Sequence, residues 1–357
     1  MSVNYTSFGV QKRRIDFLRC GGVSYLHRAD EPKRSLHTEE DDTFMTMLTG
    51  RSCLRRTAIR LRRNWGLLLL LLPSLIFAAI FMYRPMVGIL IAFKTYKPAK
   101  GILGSPWAAE HGLKYFRMFF ETYNCWTVIW NTVAISLYAL AAGFPIPIVF
   151  ALLLNQMQRQ RYKKVVQTVT YAPHFISMVV LVGIIRIVFA PSSGLVNLAL
   201  DAMGMKKIMF LTSPEWFRHL YVWSGVWQST GWNSIIYIAA LSNVSPELHE
   251  AAKVDGASKL QRILYVDFPS ILPTAVTLLI LNTGKIMTVG FEKVYLMQTS
   301  LNLSTSEVLS TYVYKIGLIN GQFSLSTAVG LFNSAVNLLM LLIVNFISRR
   351  LTDTSLW

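Results

Sequence analysis

Runs of uncharged apolar residues constrain this sequence more than any other feature. The run GLLLLLLPSLIFAAIF at residues 66–81 follows a cluster of arginines and contains no charged residue. A helix needs about 20 predominantly apolar residues to cross the hydrocarbon of a bilayer. Hydrophobic residues make up 53% of the 357 residues and charged residues 15%, whereas about a quarter of the residues in soluble domains are charged. The sequence therefore predicts an all-α integral membrane protein.

Six apolar segments are predicted to span the membrane. They lie at residues 65–83, 127–154, 165–189, 220–241, 269–290 and 326–347. They divide the chain into an N-terminal cytoplasmic extension at 1–60, a transmembrane domain at 61–350 and a short cytoplasmic tail at 351–357. The extension is expected to be poorly ordered, because it is polar and mixed in charge.

Basic residues predict the orientation of these segments. Six arginines between residues 51 and 63 precede the first segment, and the short loop QRQRYKK at 158–164 is also basic. Lysine and arginine are enriched in cytoplasmic loops, so both regions are placed on the cytoplasmic side, together with Arg349 and Arg350 at the C-terminus. Much of the net charge of +17 flanks apolar segments in this way. It is expected to set orientation and not to bind nucleic acid.

A charged insert separates the fourth and fifth segments. It reads SPELHEAAKVDGASKLQRILYVDFPSILP and covers residues 245–273. Ser245 is a favourable N-cap, Pro246 suits the first helical position, and Gly256 is a natural stop. Leu260 and Ile263 then continue an apolar face at helical spacing. The insert is predicted to form two short amphipathic helices at the cytoplasmic membrane surface, and a solvated loop held at the lipid headgroups is the alternative.

Neither an enzyme nor a metal site is predicted for the insert or elsewhere. The stretch HEAAK at 249–253 begins like a metalloprotease helix, but Lys253 occupies the position of the second histidine ligand. The three cysteines, Cys20, Cys53 and Cys125, have no paired spacing. The sequence contains no GxxxxGK[ST] phosphate loop, so any ATP would be bound by another polypeptide.

The insert resembles the EAA loop of binding-protein-dependent ABC importer permeases. That pattern reads Glu-Ala-Ala, three residues, Gly, nine residues, Ile, one residue, Leu-Pro. The residues that match it are Glu250, Ala251, Ala252, Gly256 and Pro269, while Val266 and Phe268 stand in place of Ile and Leu.

Other stretches resemble the sugar-importing branch of the same permeases. They are NTVAISLYAL at 131–140, ALLLNQM at 151–157, QTVTYAPHFIS at 167–177 and SIIYIAALSNVSPELHEAAKVDGAS at 234–258. The YAPHFIS stretch in particular is similar to permeases that import complex oligosaccharides or polysaccharides. The resemblance covers roughly residues 60–350 and leaves out the N-terminal extension.

The resemblance implies an architecture and a set of partners. The fold would be that of a type I ABC importer permease, with six transmembrane helices and cytoplasmic coupling helices between spans four and five. The chain would sit in the bacterial inner membrane with a second, homologous permease subunit, two ATPase subunits and an extracytoplasmic sugar-binding protein. It would bind no cofactor, because ATP and Mg would be used by the ATPase subunits. The residues implied to couple to the ATPase are Glu250, Ala251, Ala252, Asp255, Gly256 and Pro269.

One helical stripe in the fourth segment is a candidate for the sugar path. Its members fall within about 80° on a helical projection, and they are Trp223, Trp227, Thr230, Ser234 and Tyr237. Aromatic rings with polar handles suit the C–H faces and hydroxyls of a saccharide. The aromatic belt at the outer interface would explain the two tryptophans equally well.

Polar residues in the fifth and sixth segments are further path candidates. They are Asn282, Lys285, Asn333 and Asn337. A lysine facing the path would suit an acidic sugar such as a uronate, but a lysine near the end of a span also snorkels to the interface. Contacts between helices would explain the asparagines as well as a substrate does.

The predicted function is that of the transmembrane subunit of an ATP-driven importer of oligosaccharides or polysaccharides, with an acidic, uronate-type sugar as one option, working by alternating access. A permease for small sugars or another solute is the alternative. An ion-coupled secondary transporter is disfavoured, because such proteins carry acidic residues inside the membrane and every Asp and Glu here lies outside the six segments.

Overall fold

The computed structural model describes residues 65–352 of the chain. The extension at 1–60 and residues 353–357 of the tail lie outside the described residues. The α-helices of the described part are α1 (Trp65–Ala78), α2 (Gly101–Gly104), α3 (Lys114–Glu121), α4 (Cys125–Gly143), α5 (Pro145–Asn155), α6 (Gln160–Tyr171), α7 (Met178–Val188), α8 (Leu195–Ala202), α9 (Pro214–Ser242), α10 (Pro246–Val254), α11 (Lys259–Arg262), α12 (Phe268–Thr283), α13 (Phe291–Met297), α14 (Leu303–Ser306), α15 (Leu309–Tyr314) and α16 (Phe323–Thr352).

Shorter helical turns join several of these helices. Those with 3-10 geometry are Arg84–Phe93, Pro98–Lys100, Glu110–Gly112 and Ala172–Phe175, and those with π geometry are Ala79–Tyr83, Ile263–Asp267 and Lys315–Ile319. Within residues 65–352 there is no β-strand, and one isolated bridge pairs Lys94 with Trp107. The prediction of an all-α fold is confirmed for this part of the chain.

Four continuous helical stretches are long and apolar enough to cross a bilayer. They are Leu69–Phe93, Cys125–Asn155, Lys259–Thr283 and Phe323–Arg350. The pair Gln160–Phe175 and Met178–Val188 is a fifth candidate if its two bent halves count as one span. The predicted fourth segment lies within α9, whose 29 residues reach about 43 Å at 1.5 Å per residue, although α9 falls outside the four apolar stretches.

The predicted third segment is a bent pair and not one continuous helix. Its two halves meet at 101°. Pro173 lies in the 3-10 turn that ends the first half, and Ser177 N-caps α7 by accepting a hydrogen bond from the Val180 amide at 3.4 Å. A proline followed by an N-cap ends one helix and starts another, which explains the break.

Of the described residues, 65–85 belong to one compact unit and 86–352 to another. In the described part of the first unit, the side chains are mostly apolar and exposed, with Leu70 at 76%. Such a surface suits lipid contact, because apolar side chains face the hydrocarbon while the helix satisfies its own backbone hydrogen bonds.

Helix α9 runs through the core of the second unit. On one side it packs with α4, α7 and α13, in a cluster that includes Ile135, Leu181, Phe217, Leu220 and Val294. Toward its other end it packs with α5 and α12, in a cluster that includes Ala151, Leu152, Tyr237, Leu241 and Ile271. A third cluster joins α3, α4, α15 and α16 and includes Phe119, Val128, Leu309 and Val329. Helix α9 therefore positions residues from both ends of the second unit.

Helices α9 and α6 approach each other closely at Gly231. A methyl carbon built at Gly231 would lie 2.6 Å from the carbonyl carbon of Thr170 and 2.9 Å from Cδ1 of Tyr171. Because Thr170 contributes backbone atoms, the neighbour has little freedom to move away. The absence of a side chain at Gly231 is what allows this approach.

We expect Gly231→Ala to destabilise the protein. Overpacking a tight contact costs about 1–3 kcal/mol, so the melting temperature of the detergent-purified permease should fall in a fluorescence-detected thermal assay. Gly183→Ala is the matched control, since Gly183 lies inside α7 with no heavy atom within 4 Å of an added methyl. That change should be neutral or stabilise by roughly 0.5–1 kcal/mol. A Gly231→Ala protein as stable as the wild type would contradict the close approach.

Candidate functional site

Of the two short helices that the sequence predicts for the charged insert, α10 is a separate helix, whereas α11 is the first part of the continuous helical stretch Lys259–Thr283. The Ser245 hydroxyl accepts a hydrogen bond from the Glu247 amide at 3.3 Å, and Pro246 occupies the first position of α10. Gly256 follows α10 with φ of +77°, a value that favours glycine. Helix α11 begins with a capping box in which Ser258 and Gln261 bind each other's backbone amides. The insert therefore has a defined conformation that its own local residues stabilise.

A polar groove of about 460 Å³ separates the insert from the C-terminal end of α5. The residues that line it include Asn155, Gln156, Gln158, His249, Glu250, Lys253 and Arg262. Glu250 is exposed, and so are Ala251, Asp255, Gly256 and Pro269, whereas Ala252 is half-buried. Of the residues predicted to couple to an ATPase, Glu250 lines the groove and the others do not.

Asp267 is a fully buried carboxylate that contacts three of the residues lining this groove. Its exposure is 0%, and it accepts hydrogen bonds from the side-chain amides of Asn155 at 3.2 Å and Gln156 at 2.7 Å. His249 Nε2 lies 3.2 Å from Asp267 Oδ1, the oxygen that also accepts the hydrogen bond from Asn155. A buried carboxylate is tolerated only when it is paired and hydrogen-bonded. Asp267 thus ties α10 of the insert to the end of α5.

Sequence analysis missed Asp267. The residue occupies the unspecified position between Val266 and Phe268 in the EAA-type pattern, so the pattern drew no attention to it. Its partners lie 111 and 112 residues away in the chain. Only the fold brings them together.

A second cavity, of about 390 Å³, lies among α4, α9 and the segment that joins α12 to α13. Its polar lining consists of Ser136, Tyr221, Gln228, Ser229, Asn233, Asn282, Lys285, Thr288 and Lys293. Two of these residues are lysines, and none of the lining residues is an aspartate or a glutamate. A cavity with this lining presents hydroxyls, amides and positive charge to its contents.

The predicted stripe of the fourth segment does not face this cavity. Trp223 and Trp227 are about half exposed and line an apolar groove of about 420 Å³ beside α7. Ser234 and Tyr237 are buried, and Tyr237 packs against α5 and α12. Thr230 donates a hydrogen bond to the Val226 carbonyl at 2.6 Å. The stripe residues therefore serve packing and the apolar groove in this structure.

Another face of α9 lines the cavity instead. Tyr221, Gly225, Ser229 and Asn233 follow one another at intervals of four, which places them on one helical ridge. Polar residues at this spacing within an apolar segment were the signal available in the sequence. The sequence prediction instead chose the face of α9 that carries Trp223 and Trp227.

The polar residues predicted in the fifth and sixth segments divide between the cavity and helix contacts. Asn282 and Lys285 line the cavity, and both are exposed. Asn337 accepts a hydrogen bond from the Met287 amide at 2.8 Å and donates one to Thr288 Oγ1 at 3.0 Å. Asn333 is half-buried on the same helix, α16. Asn337 therefore joins α16 to the segment that follows α12. This contact within the protein corresponds to the alternative to a substrate contact.

Lys293 lines the cavity although it lies outside the fifth predicted segment, at 269–290. Its side chain is buried, and Nζ donates a hydrogen bond to the Tyr221 carbonyl at 2.8 Å. The ammonium also lies 4.7 Å from the centre of the Tyr221 ring. Burial disfavours the charged form and lowers the pKa of Lys293 to about 8. No sequence signal distinguishes this lysine from the exposed lysines of other loops.

Within residues 65–352, no cluster of three or more His, Cys, Asp or Glu side chains has the arrangement of a metal site.

Comparisons with known proteins place the chain in a family. The family described as "Binding-protein-dependent transport system inner membrane component" matches residues 143–353. The polygalacturonan/rhamnogalacturonan transport system permease protein YteP of Bacillus subtilis (strain 168) is 41% identical over 303 residues, which are 85% of this chain and 94% of the relative. Protein LplB of the same organism is 39% identical over 297 residues, which are 83% of this chain and 92% of the relative.

Solved structures agree with these sequence relatives. A chain of a bacterial ABC transporter involved in the import of the acidic polysaccharide alginate is 39% identical, with a TM-score of 0.77 over 83% of this chain and 99% of that chain. The alginate transporter in complex with an alginate pentasaccharide-bound periplasmic protein gives a TM-score of 0.76 at 39% identity, over 83% of this chain and 98% of that chain. The chain belongs to the family of binding-protein-dependent transport system inner membrane components, and it is a non-catalytic, multi-pass permease subunit of an ABC transporter.

Proposed function

We propose that this chain forms one half of the transmembrane pathway of an ATP-driven importer of acidic, uronate-type oligosaccharides or polysaccharides. Similarity over most of both chains to permeases of polygalacturonan/rhamnogalacturonan and alginate transporters is the observation that carries the proposal. The cavity lining supports it, because two lysines and several neutral polar groups face a space without carboxylates. Opposite charge and hydrogen-bonding groups are what an anionic sugar requires.

The proposed assembly contains a second, homologous permease, two ATPase subunits that use ATP and Mg, and an extracytoplasmic sugar-binding protein. The alginate transporter, which forms a complex with a periplasmic protein, supports this arrangement. The permease would cross the bacterial inner membrane six times, with α9 and the bent third segment completing the four apolar stretches. Both termini would then be cytoplasmic, as the basic residues beside the spans favour. The transmembrane domain would cover residues 61–350.

The insert is proposed to couple this permease to an ATPase. Glu250, exposed in the groove, would contact a basic residue of the ATPase, and Gly256 would allow the sharp turn beside it. The exposed surface around them includes Ala251, Asp255 and Pro269, and Ala252 supports it. ATP binding would stabilise one of two packings of the permease halves, so that the insert moves as a rigid lever between inward-open and outward-open states.

The proposed sugar path runs through the cavity. Asn282 and Lys285 remain path residues from the sequence prediction, and Ser229 and Asn233 join them from the polar ridge of α9. The partner permease would supply the facing wall. Trp223 and Trp227 would line the apolar groove beside the path.

A panel of sugars tests the importer and its substrate class. We expect acidic oligosaccharides to stimulate ATP hydrolysis by the purified complex in liposomes with its binding protein, at least about tenfold more than neutral ones, a difference of about 1.4 kcal/mol. The double variant Glu250→Ala/Gly256→Pro should lose this stimulation. Proline fixes φ near −65°, which is incompatible with the +77° at Gly256.

The outcomes of that panel separate the two parts of the proposal. Hydrolysis that responds equally to neutral and acidic sugars would remove the acidic assignment. Full stimulation in the double variant would show that the insert does not couple to the ATPase.

Asp267 provides a second test of coupling. Because it joins the insert to α5, we expect Asp267→Asn to reduce the amount of sugar imported per ATP hydrolysed severalfold while basal hydrolysis persists. Asparagine keeps the size of the side chain but offers one acceptor oxygen where the carboxylate offers two, and a buried donor left without its acceptor costs about 1–3 kcal/mol. Glu247→Gln is the control, because Glu247 is an exposed carboxylate in the first turn of α10, and it should leave the ratio unchanged. The measurement is sugar uptake and phosphate release in the same proteoliposomes, and an unchanged ratio in Asp267→Asn would refute the role.

A further inference from the structure

Lys293 is a buried cation held rigidly in the cavity wall. It lies on α13 with an exposure of 5%. Two side chains from elsewhere fix the C-terminal end of α13, because Arg186 donates to the Leu296 carbonyl at 2.6 Å and Asn302 donates to the Met297 carbonyl at 3.1 Å. The contacts of Arg186 and Asn302 therefore hold the backbone of α13, and the hydrogen bond to the Tyr221 carbonyl positions the ammonium.

Lys293 forms no ion pair with any of the residues that the structure describes. Lys315, by comparison, has Glu307 at 2.9 Å. The lining of the cavity adds a second ammonium, Lys285, and no carboxylate. A buried charge is unfavourable unless a partner of opposite sign compensates it, and burial lowers the pKa of Lys293 to about 8. The site lacks the negative charge that would stabilise it.

Lys94, a second buried lysine, has more of its donors occupied than Lys293. Lys94 is buried to a similar degree, at 6%, and donates to two carbonyls, those of Ile102 at 3.1 Å and Leu103 at 2.9 Å. It does not line the cavity. Lys293 donates to one carbonyl, that of Tyr221, although an ammonium has three protons to donate. Lys293 thus has donor capacity left on the cavity side.

Gly225 of α9 has no side chain, which leaves space for the Lys293 ammonium. A methyl carbon built at Gly225 would lie 3.2 Å from the Lys293 Nζ, tighter than ordinary van der Waals contact. Gly225 belongs to the ridge of α9 that also carries Ser229 and Asn233. The ammonium therefore lies against the ridge of α9 whose neutral polar residues, Ser229 and Asn233, line the same cavity.

We propose that Lys293, with Lys285, forms the carboxylate-binding site of the cavity and makes the permease prefer uronate-containing sugars over neutral ones. The inference rests on the proposed function and deepens it by assigning the selectivity to one pair of residues. The carboxylate of a uronate unit would supply the missing negative charge, and an ammonium–carboxylate contact is stronger in a cavity than in water. A neutral sugar would leave the buried ammonium uncompensated, which disfavours its passage.

The test compares one saccharide in two charge states. Oligogalacturonate and the same oligomer partially methyl-esterified are given to the complex in liposomes with saturating binding protein, and stimulated ATP hydrolysis is measured for each. We expect Lys293→Gln to reduce the acid-to-ester ratio at least about tenfold relative to wild type, or about 1.4 kcal/mol, and Lys285→Gln to reduce it less, because Lys285 is exposed. Glutamine retains a donor for the Tyr221 carbonyl, so the variant should fold.

Controls distinguish charge recognition from structural damage. Lys94→Gln removes a buried lysine outside the cavity and should leave the ratio unchanged, and Lys293→Arg should restore much of the preference. Equal loss of both responses in Lys293→Gln, or an unchanged ratio, would overturn the site while the importer stands. A wild-type complex that no acidic oligosaccharide stimulates would overturn the proposed function and this site with it.

Discussion

The need to satisfy polar groups away from water governs this structure at every level. In hydrocarbon each backbone amide and carbonyl must bond within the chain, and the membrane-crossing stretches are accordingly helical. The same requirement applies to charge. Asp267 is buried with three partners, so its charge holds the insert against α5. Lys293 is buried with one carbonyl partner and the Tyr221 ring, and in the proposed site a ligand carboxylate would complete its interactions. The two sites differ in whether the protein itself completes the interaction.

Helix α9 links these two sites within one rigid element. One ridge of the helix lines the cavity at Tyr221, Ser229 and Asn233, and the helix ends at Ser242, shortly before α10 begins at Pro246. Clusters of buried apolar residues hold it at both ends. Under the proposed mechanism, a displacement of the insert would be transmitted to the cavity wall through this packed helix. This physical continuity is what an ATP-driven cycle of alternating access requires.

The sequence predicts the local features well and the long-range contacts poorly. Ser245, Pro246 and Gly256 act through their own backbone neighbours, so the bounds of α10 followed from residue type and spacing. The bend between α6 and α7 also has local causes, Pro173 and Ser177, although the apolar run there concealed it. Trp223 and Trp227 drew attention to one face of α9, because aromatic residues are conspicuous, while the face with Ser229 and Asn233 lines the cavity.

The sequence by itself determined that this chain is helical, that it crosses a membrane, and that its charged insert resembles the coupling loop of an ABC permease. Those properties depend on apolar length, capping residues and a local motif, which need no distant partner. The tertiary structure decided which charges are buried and what surrounds them. Asp267 meets Asn155 and Gln156 across more than a hundred residues, and Lys293 meets Tyr221 across 72. Burial is a property of the packed chain, because the residues that exclude water from a charge come from separate helices.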